Sequence, residues 1–198
     1  PVQPVQHPVP LLLPQVAEQG MAAERFRREA RAAARMRSEH VCKVLDVGTL
    51  DSGIPFMVME YLEGRELARA IAERASLTVP RILRTLCQLG LALEHAHSFG
   101  FIHRDLKPEN IYLCDTSDGT QVRVLDFGSV KLQMETGNKL TALGTTLGSP
   151  FYMAPEQATG SSSVDQRSDV FAVGAMLYEM LTGKIAFEGT TEIGRAHV

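Results

Sequence analysis

The stretch His103-Arg104-Asp105-Leu106-Lys107-Pro108-Glu109-Asn110 gathers acids, cations and an amide into one short run. Asp126-Phe127-Gly128 and Ala154-Pro155-Glu156 follow it in order. Asn110 and Asp126 offer hard oxygen donors, the type that holds a small divalent cation. Lys107 stands two residues after Asp105, so along an extended loop the two side chains point to the same side. Gly128 lets the chain turn directly after Asp126. Any one of these acids alone would read as a helix cap or a surface ion pair, and Asp-Phe-Gly by itself recurs by chance. The ordered set does not, with Asp105 and Asn110 five residues apart and a hairpin pattern between Asn110 and Asp126.

Residues of this kind act only if elements hold them. Residues 22–37 contain good helix formers and no Gly or Pro, and Phe26, Ala30, Ala33 and Met36 fall on one face at helical spacing. Arginines, with Glu24 and Glu29, fill the rest of that helix and read as a solvated face with one acid turned inward. Two strands are predicted at 41–47 and 55–61, joined through Asp51-Ser52-Gly53. A short helix at 66–74, opened by Gly64, precedes a longer one from Pro80 to His97 that Gly100 breaks. A hairpin at 111–113 and 122–125 turns across Asp115-Thr116-Ser117-Asp118-Gly119, and an apolar helix at 169–181 is closed by Gly183. The order of elements is α+β, without internal repeats. Residues 1–21 stand apart: Pro1, Pro4, Pro8, Pro10 and Pro14 oppose helix and favour an extended or irregular linker.

Composition narrows the class without naming an activity. A chain of 198 residues, 44% hydrophobic, fits one domain with a sizeable core. A net charge of −3 is too small to argue for nucleic acid or an anionic membrane as partner. Cys42, Cys87 and Cys114 have no metal-like spacing and read as reduced packing thiols of an intracellular protein. No apolar run approaches the roughly 18 residues that span a bilayer. The expectation is a cytoplasmic domain with no membrane segment.

On its three motifs the chain resembles the protein kinase superfamily. The runs Glu24-Arg25-Phe26-Arg27-Arg28-Glu29-Ala30, Met59-Glu60-Tyr61-Leu62-Glu63-Gly64 and Ala154-Pro155-Glu156-Gln157-Ala158 look like its bacterial Ser/Thr members. The resemblance covers residues 22–191. It implies a two-lobe kinase fold in truncated form, and transfer of the ATP γ-phosphate to Ser/Thr hydroxyls of a protein substrate with Mg²⁺. Asp105 would accept the hydroxyl proton, Lys107 would meet the γ-phosphate, and Asn110 and Asp126 would hold Mg²⁺. Glu29 matches the glutamate that pairs with the ATP-binding lysine, and Met59 the gatekeeper. Backbone groups of Glu60 and Leu62 would bond adenine, and Glu66 would reach the ribose. Asp169 resembles the acid that holds the catalytic loop by its N–H groups, while His103 and Phe127 pack as core. Lys107 and the Gly148-Ser149-Pro150 element point to Ser/Thr specificity, with the Ser149 hydroxyl near the catalytic acid. Arg104 would pair with a phosphate on the activation segment, where Thr136, Thr141, Thr145 and Thr146 are the candidates and the last three are best placed.

The chain also departs from the family pattern. The first lysine is Lys43, after Glu29, and the only glycine before Glu29 is Gly20. Neither the Gly-rich phosphate loop nor the lysine partner of Glu29 is therefore found, and residues 192–198 are expected to be a non-native tail. The expectation is a kinase fragment of low stability, without activity of its own and with weak or no ATP binding. The alternative is a pseudokinase or interaction module that lacks the lysine. A binding module has no need of Asp105, Lys107, Asn110 and Asp126 together. A small-molecule phosphotransferase of related fold would generally lack the segment bounded by Ala-Pro-Glu.

Overall fold

The computed structural model describes residues 30, 33–73, 77–117, 119–125, 150–159 and 164–187. Glu29, Asp126, Phe127, Thr136, Thr141, Thr145, Thr146 and Ser149 lie outside these residues, as do 1–21 and 192–198.

Ala30, Ala33 and Met36 are buried at the spacing the sequence predicts. Helical bonding here ends sooner than residue 37, with Ala34 N–H donating to the Ala30 carbonyl and Met36 N–H to that of Ala33. Strands β1 (Val44–Thr49) and β2 (Pro55–Met59) then pair antiparallel, with Val47 opposite Met57. Gly53 makes the turn with φ +84, a backbone setting that favours glycine. The strand expected from residue 41 starts later because residues 40–42 bond elsewhere. Val41 forms a parallel bridge to Val124, Cys42 N–H donates to the Val124 carbonyl at 2.9 Å, and Val124 N–H donates to the His40 carbonyl at 2.9 Å.

A second sheet has the order β3 (Gly64–Glu66), β4 (Ile111–Thr116), β5 (Gly119–Val124), all antiparallel. Gly64 does not open a helix; it pairs with Cys114, and a Cβ there would overlap the Leu113 carbonyl. The hairpin strands run further than expected, to Thr116 opposite Gly119. Their outer residues are exposed yet still pair through the backbone, which an apolar pattern does not reveal.

Helix α1 (Leu67–Ala72) follows β3 directly, and α2 (Val79–Ser98) carries Pro80 in its first turn. Ile82, Leu89, Leu93 and Ala96 form its buried face. Gly100 ends it at φ +76. A 3-10 turn at Pro108–Asn110 leads into β4, and another at Pro150–Tyr152 precedes α3 (Pro155–Ala158). Helix α4 (Arg167–Thr182) is closed by Gly183 in the left-handed region, whose N–H bonds the Glu179 carbonyl.

The described residues form two apolar clusters. The larger joins Leu67, Leu89, Ile111, Leu113, Val124 and Met176. The smaller gathers Ala30, Cys42, Met57 and Met59. Each full burial of a large aliphatic side chain contributes about 1.5–3 kcal/mol. The loop that carries Asp105 leaves the large cluster at α2 and rejoins it at β4, so its two ends are fixed by core packing. Val79, Leu83 and Leu91 of α2 and Val170, Tyr178 and Leu181 of α4 are exposed. Among the described residues, no helix is long and apolar enough to cross a membrane.

Candidate active site

The loop between α2 and β4 is set by one backbone feature. Arg104 has φ +66, alone among the described non-glycine residues in taking a positive value. That setting costs of order 1–3 kcal/mol and persists only where surrounding bonds impose it. Asp169 on α4 imposes it from one side: its Oδ1 accepts Arg104 N–H at 2.9 Å and its Oδ2 accepts His103 N–H at 2.9 Å. The same Oδ2 lies 2.8 Å from His97 Nε2. Asp169 is only 1% exposed, so three donors replace its water shell.

His103 is buried, and its Nε2 meets the Leu125 carbonyl at 2.8 Å. A carbonyl only accepts, so Nε2 carries the proton and Nδ1 is left as acceptor toward Asp105 N–H at 3.4 Å. The residue packs as core, as expected, and also ties the loop to the chain just before Asp126.

Asp105, Lys107 and Asn110 come together. Lys107 Nζ is 3.0 Å from Asp105 Oδ2, and both side chains are partly exposed. Asn110 is buried; its Nδ2 donates to the Asp105 carbonyl at 2.8 Å and approaches Oδ2 at 3.4 Å. Because Nδ2 is engaged, the other atom of the amide is Oδ1, and no donor among the described residues reaches it. A hard oxygen beside a carboxylate fits a divalent cation. The Asn110 carbonyl also accepts Leu125 N–H at 2.8 Å, which ties the end of the described β5 segment to Asn110.

The second group of expected site residues surrounds the end of β2. Met59 is buried in the small cluster, with Leu62 and Leu125 packed against it. Glu60 N–H donates to the Lys43 carbonyl and its Oε1 accepts Lys43 N–H, both at 2.9 Å. Arg123 Nε lies 3.8 Å from the same carboxylate. The Glu60 side chain and N–H are thus committed to the sheet, and its carbonyl accepts the Cys42 thiol at 4.0 Å. Leu62 N–H has no partner among the described residues. Glu66 is exposed and sits opposite Tyr112 in the β3–β4 pair.

Two participants were not expected from sequence. His97 supports Asp169, as above. Gln157 on α3 is buried, and its Nε2 donates to the Arg104 carbonyl at 2.8 Å while its Oε1 accepts Ala154 N–H at 3.2 Å. The spacing of Ala154 and Gln157 is that of a helix-start reach-back, the one local signal available. The neighbouring Glu156 accepts the Ser168 hydroxyl at 2.6 Å.

Comparisons with known proteins place the chain beside protein kinases. The family model "Protein kinase domain" matches residues 13–197. The serine/threonine-protein kinase pkn3 of Myxococcus xanthus is 43% identical over 175 residues, which cover 87% of this chain and 32% of that protein. The serine/threonine-protein kinase PknB of Mycobacterium tuberculosis is 37% identical over 176 residues, covering 87% of this chain and 28% of its own length. The chain thus spans about a third or less of these curated relatives. The crystal structure of the Mycobacterium tuberculosis PknI kinase domain superposes with a TM-score of 0.69 at 29% identity, covering 93% of this chain and 67% of that one.

Proposed function

The chain belongs to the protein kinase domain family, among bacterial Ser/Thr kinases of the Hanks type, and from that premise we propose that the protein carrying it transfers the γ-phosphate of ATP to Ser/Thr hydroxyls of protein substrates. The observation that carries the proposal is the meeting of Asp105, Lys107 and Asn110 on one loop clamped from beneath by Asp169. A substrate hydroxyl oxygen attacks the γ-phosphorus, the bond to the β–γ bridging oxygen breaks, and ADP leaves. Asp105 orients the hydroxyl and takes its proton, and the Lys107 ammonium offsets charge on the phosphoryl group as it moves.

The family uses ATP with a divalent metal. Asn110 Oδ1 and Asp126 would hold Mg²⁺, which neutralises phosphate charge when bound. The Glu60 carbonyl and Leu62 N–H would bond adenine beside the Met59 gatekeeper, with Glu66 at the ribose. Glu29 would pair with a nucleotide-binding lysine, for which this sequence offers no candidate ahead of it. Arg104 would bind a phosphate on Thr141, Thr145 or Thr146, and the Ser149 hydroxyl would sit near Asp105.

The test is Asp105→Asn in the protein carrying this domain, assayed with Mg·ATP and a generic Ser/Thr protein substrate. We expect kcat to fall about 10²–10⁴-fold while KM for ATP changes little. Retention of wild-type kcat would overturn the assignment.

A further inference from the structure

We infer that Gln157 is a positioning residue for Asp105, acting through the backbone of Arg104. This rests on the proposed kinase reaction and assigns it a residue outside the catalytic loop. Arg104 and Asp105 share a peptide unit, so the carbonyl that Gln157 holds belongs to the amide plane leading into Asp105. Asp169 fixes the N–H side of Arg104 and Gln157 fixes the carbonyl side. Between them the residue is held at φ +66. With one end freed, the peptide relaxes toward an ordinary setting and turns Asp105 from its place beside Lys107 and Asn110.

The chemistry of the site selects an amide. Ala154 N–H can only donate and the Arg104 carbonyl can only accept, so the side chain between them must present one acceptor and one donor. Ionised glutamate supplies the acceptor and not the donor. Leucine supplies neither. Because Gln157 rides on α3, which follows directly on Ala154 at the end of the activation segment, the contact also makes loop geometry depend on that end being seated.

Gln157→Glu separates the two roles. It keeps the bond to Ala154 N–H and sets a carboxylate oxygen against the Arg104 carbonyl. In the protein carrying this domain we expect kcat to fall about 10- to 100-fold, with KM for Mg·ATP within about twofold, when both proteins are assayed well below the variant's own melting temperature. Gln157→Asn, one methylene short of Arg104, should give the same split from a milder change. In an Arg104→Gly background φ +66 is unstrained, so the Gln157→Glu effect should shrink to less than about threefold. An unchanged kcat, or an equal loss in the glycine background, would overturn the inference. Hydrogen exchange separates it from the reading it rests on. If the wild-type protein transfers no phosphate, the kinase proposal fails, yet faster exchange at the Arg104 and Asp105 amides in Gln157→Glu would still support the positioning role. Unchanged exchange there would sink it.

Discussion

Asp165 lies two residues ahead of α4 and Asp169 lies in its first turn, and the same carboxylate does two different jobs. Asp165 faces solvent and pairs with its near neighbour Arg167, Oδ2 to Nη2 at 2.8 Å and Oδ1 to Nε at 3.0 Å. That guanidinium holds the Asp165 carboxyl below the usual carboxylate range. Asp169 is sealed from water and its donors come from residues more than sixty positions away, as with His103 and Arg104. The exposed pair joins neighbours and water screens it. The buried acid joins distant segments, and its loss strands them.

The largest effect expected follows from that contrast. Asp169→Ala leaves two backbone N–H groups and the His97 ring without their acceptor in a dry site. It should cost about 3–5 kcal/mol in urea denaturation, with loss of activity. Asp165→Ala should shift the same transition far less. Equal losses would break the comparison, and would mean that the surface pair holds α4 as firmly as the buried one.

The same distinction decides what could be read from the sequence. Asp105, Lys107 and Asn110 were legible because their spacing within one loop is itself the constraint, and the structure brings them within hydrogen-bond reach. Asp169 was legible only through family resemblance, since nothing local marks it apart from Asp165. Gln157 was missed as a site residue because its partner lies 53 positions earlier in the chain. The start of β1 and the role of Gly64 were misplaced for a related reason. Val41 and Gly64 are claimed by Val124 and Cys114, and period-two patterning does not say which strand takes which partner. Helix propensity runs on to residue 37, past the turn at Ala34 and Arg35.

A second, smaller effect sharpens the comparison with tyrosine in place of aspartate. Tyr152 is buried and its hydroxyl donates to Glu179 Oε2 at 2.5 Å, whereas Tyr61 is 55% exposed. Burial, reinforced by the Glu179 bond, pushes the Tyr152 phenol well above its ordinary value. A raised pKa in the fold means that its contribution is complete below the unfolded value of about 10 and is lost as pH climbs beyond it. Tyr152→Phe should cost about 1 kcal/mol near neutral pH. The gap between variant and wild type should narrow in urea denaturation above about pH 10, where the unfolded chain ionises the phenol and the fold does not. A gap that stayed constant with pH would show that Tyr152 ionises as freely in the fold as outside it.

The smallest effect concerns cysteine and touches no proposed function. Cys87 is exposed on α2, and Cys114 is buried on β4 opposite Gly64 and Gln121. Burial pushes the Cys114 thiol up, against the pull of Arg123, with Glu60 and Asp115 adding to the rise. The thiolate is the reactive form, so Cys114 is slowed twice, by access and by protonation. Labelling with iodoacetamide, followed by peptide mass mapping, should modify Cys87 first. The Cys114 rate should keep rising with pH beyond the ordinary thiol range of about 8.5. If both thiols reacted at the same rate, β4 would open as readily as the surface of α2. The bonds that tie His103 and Asn110 to Leu125, just past β5, would then rest on a hairpin that opens freely.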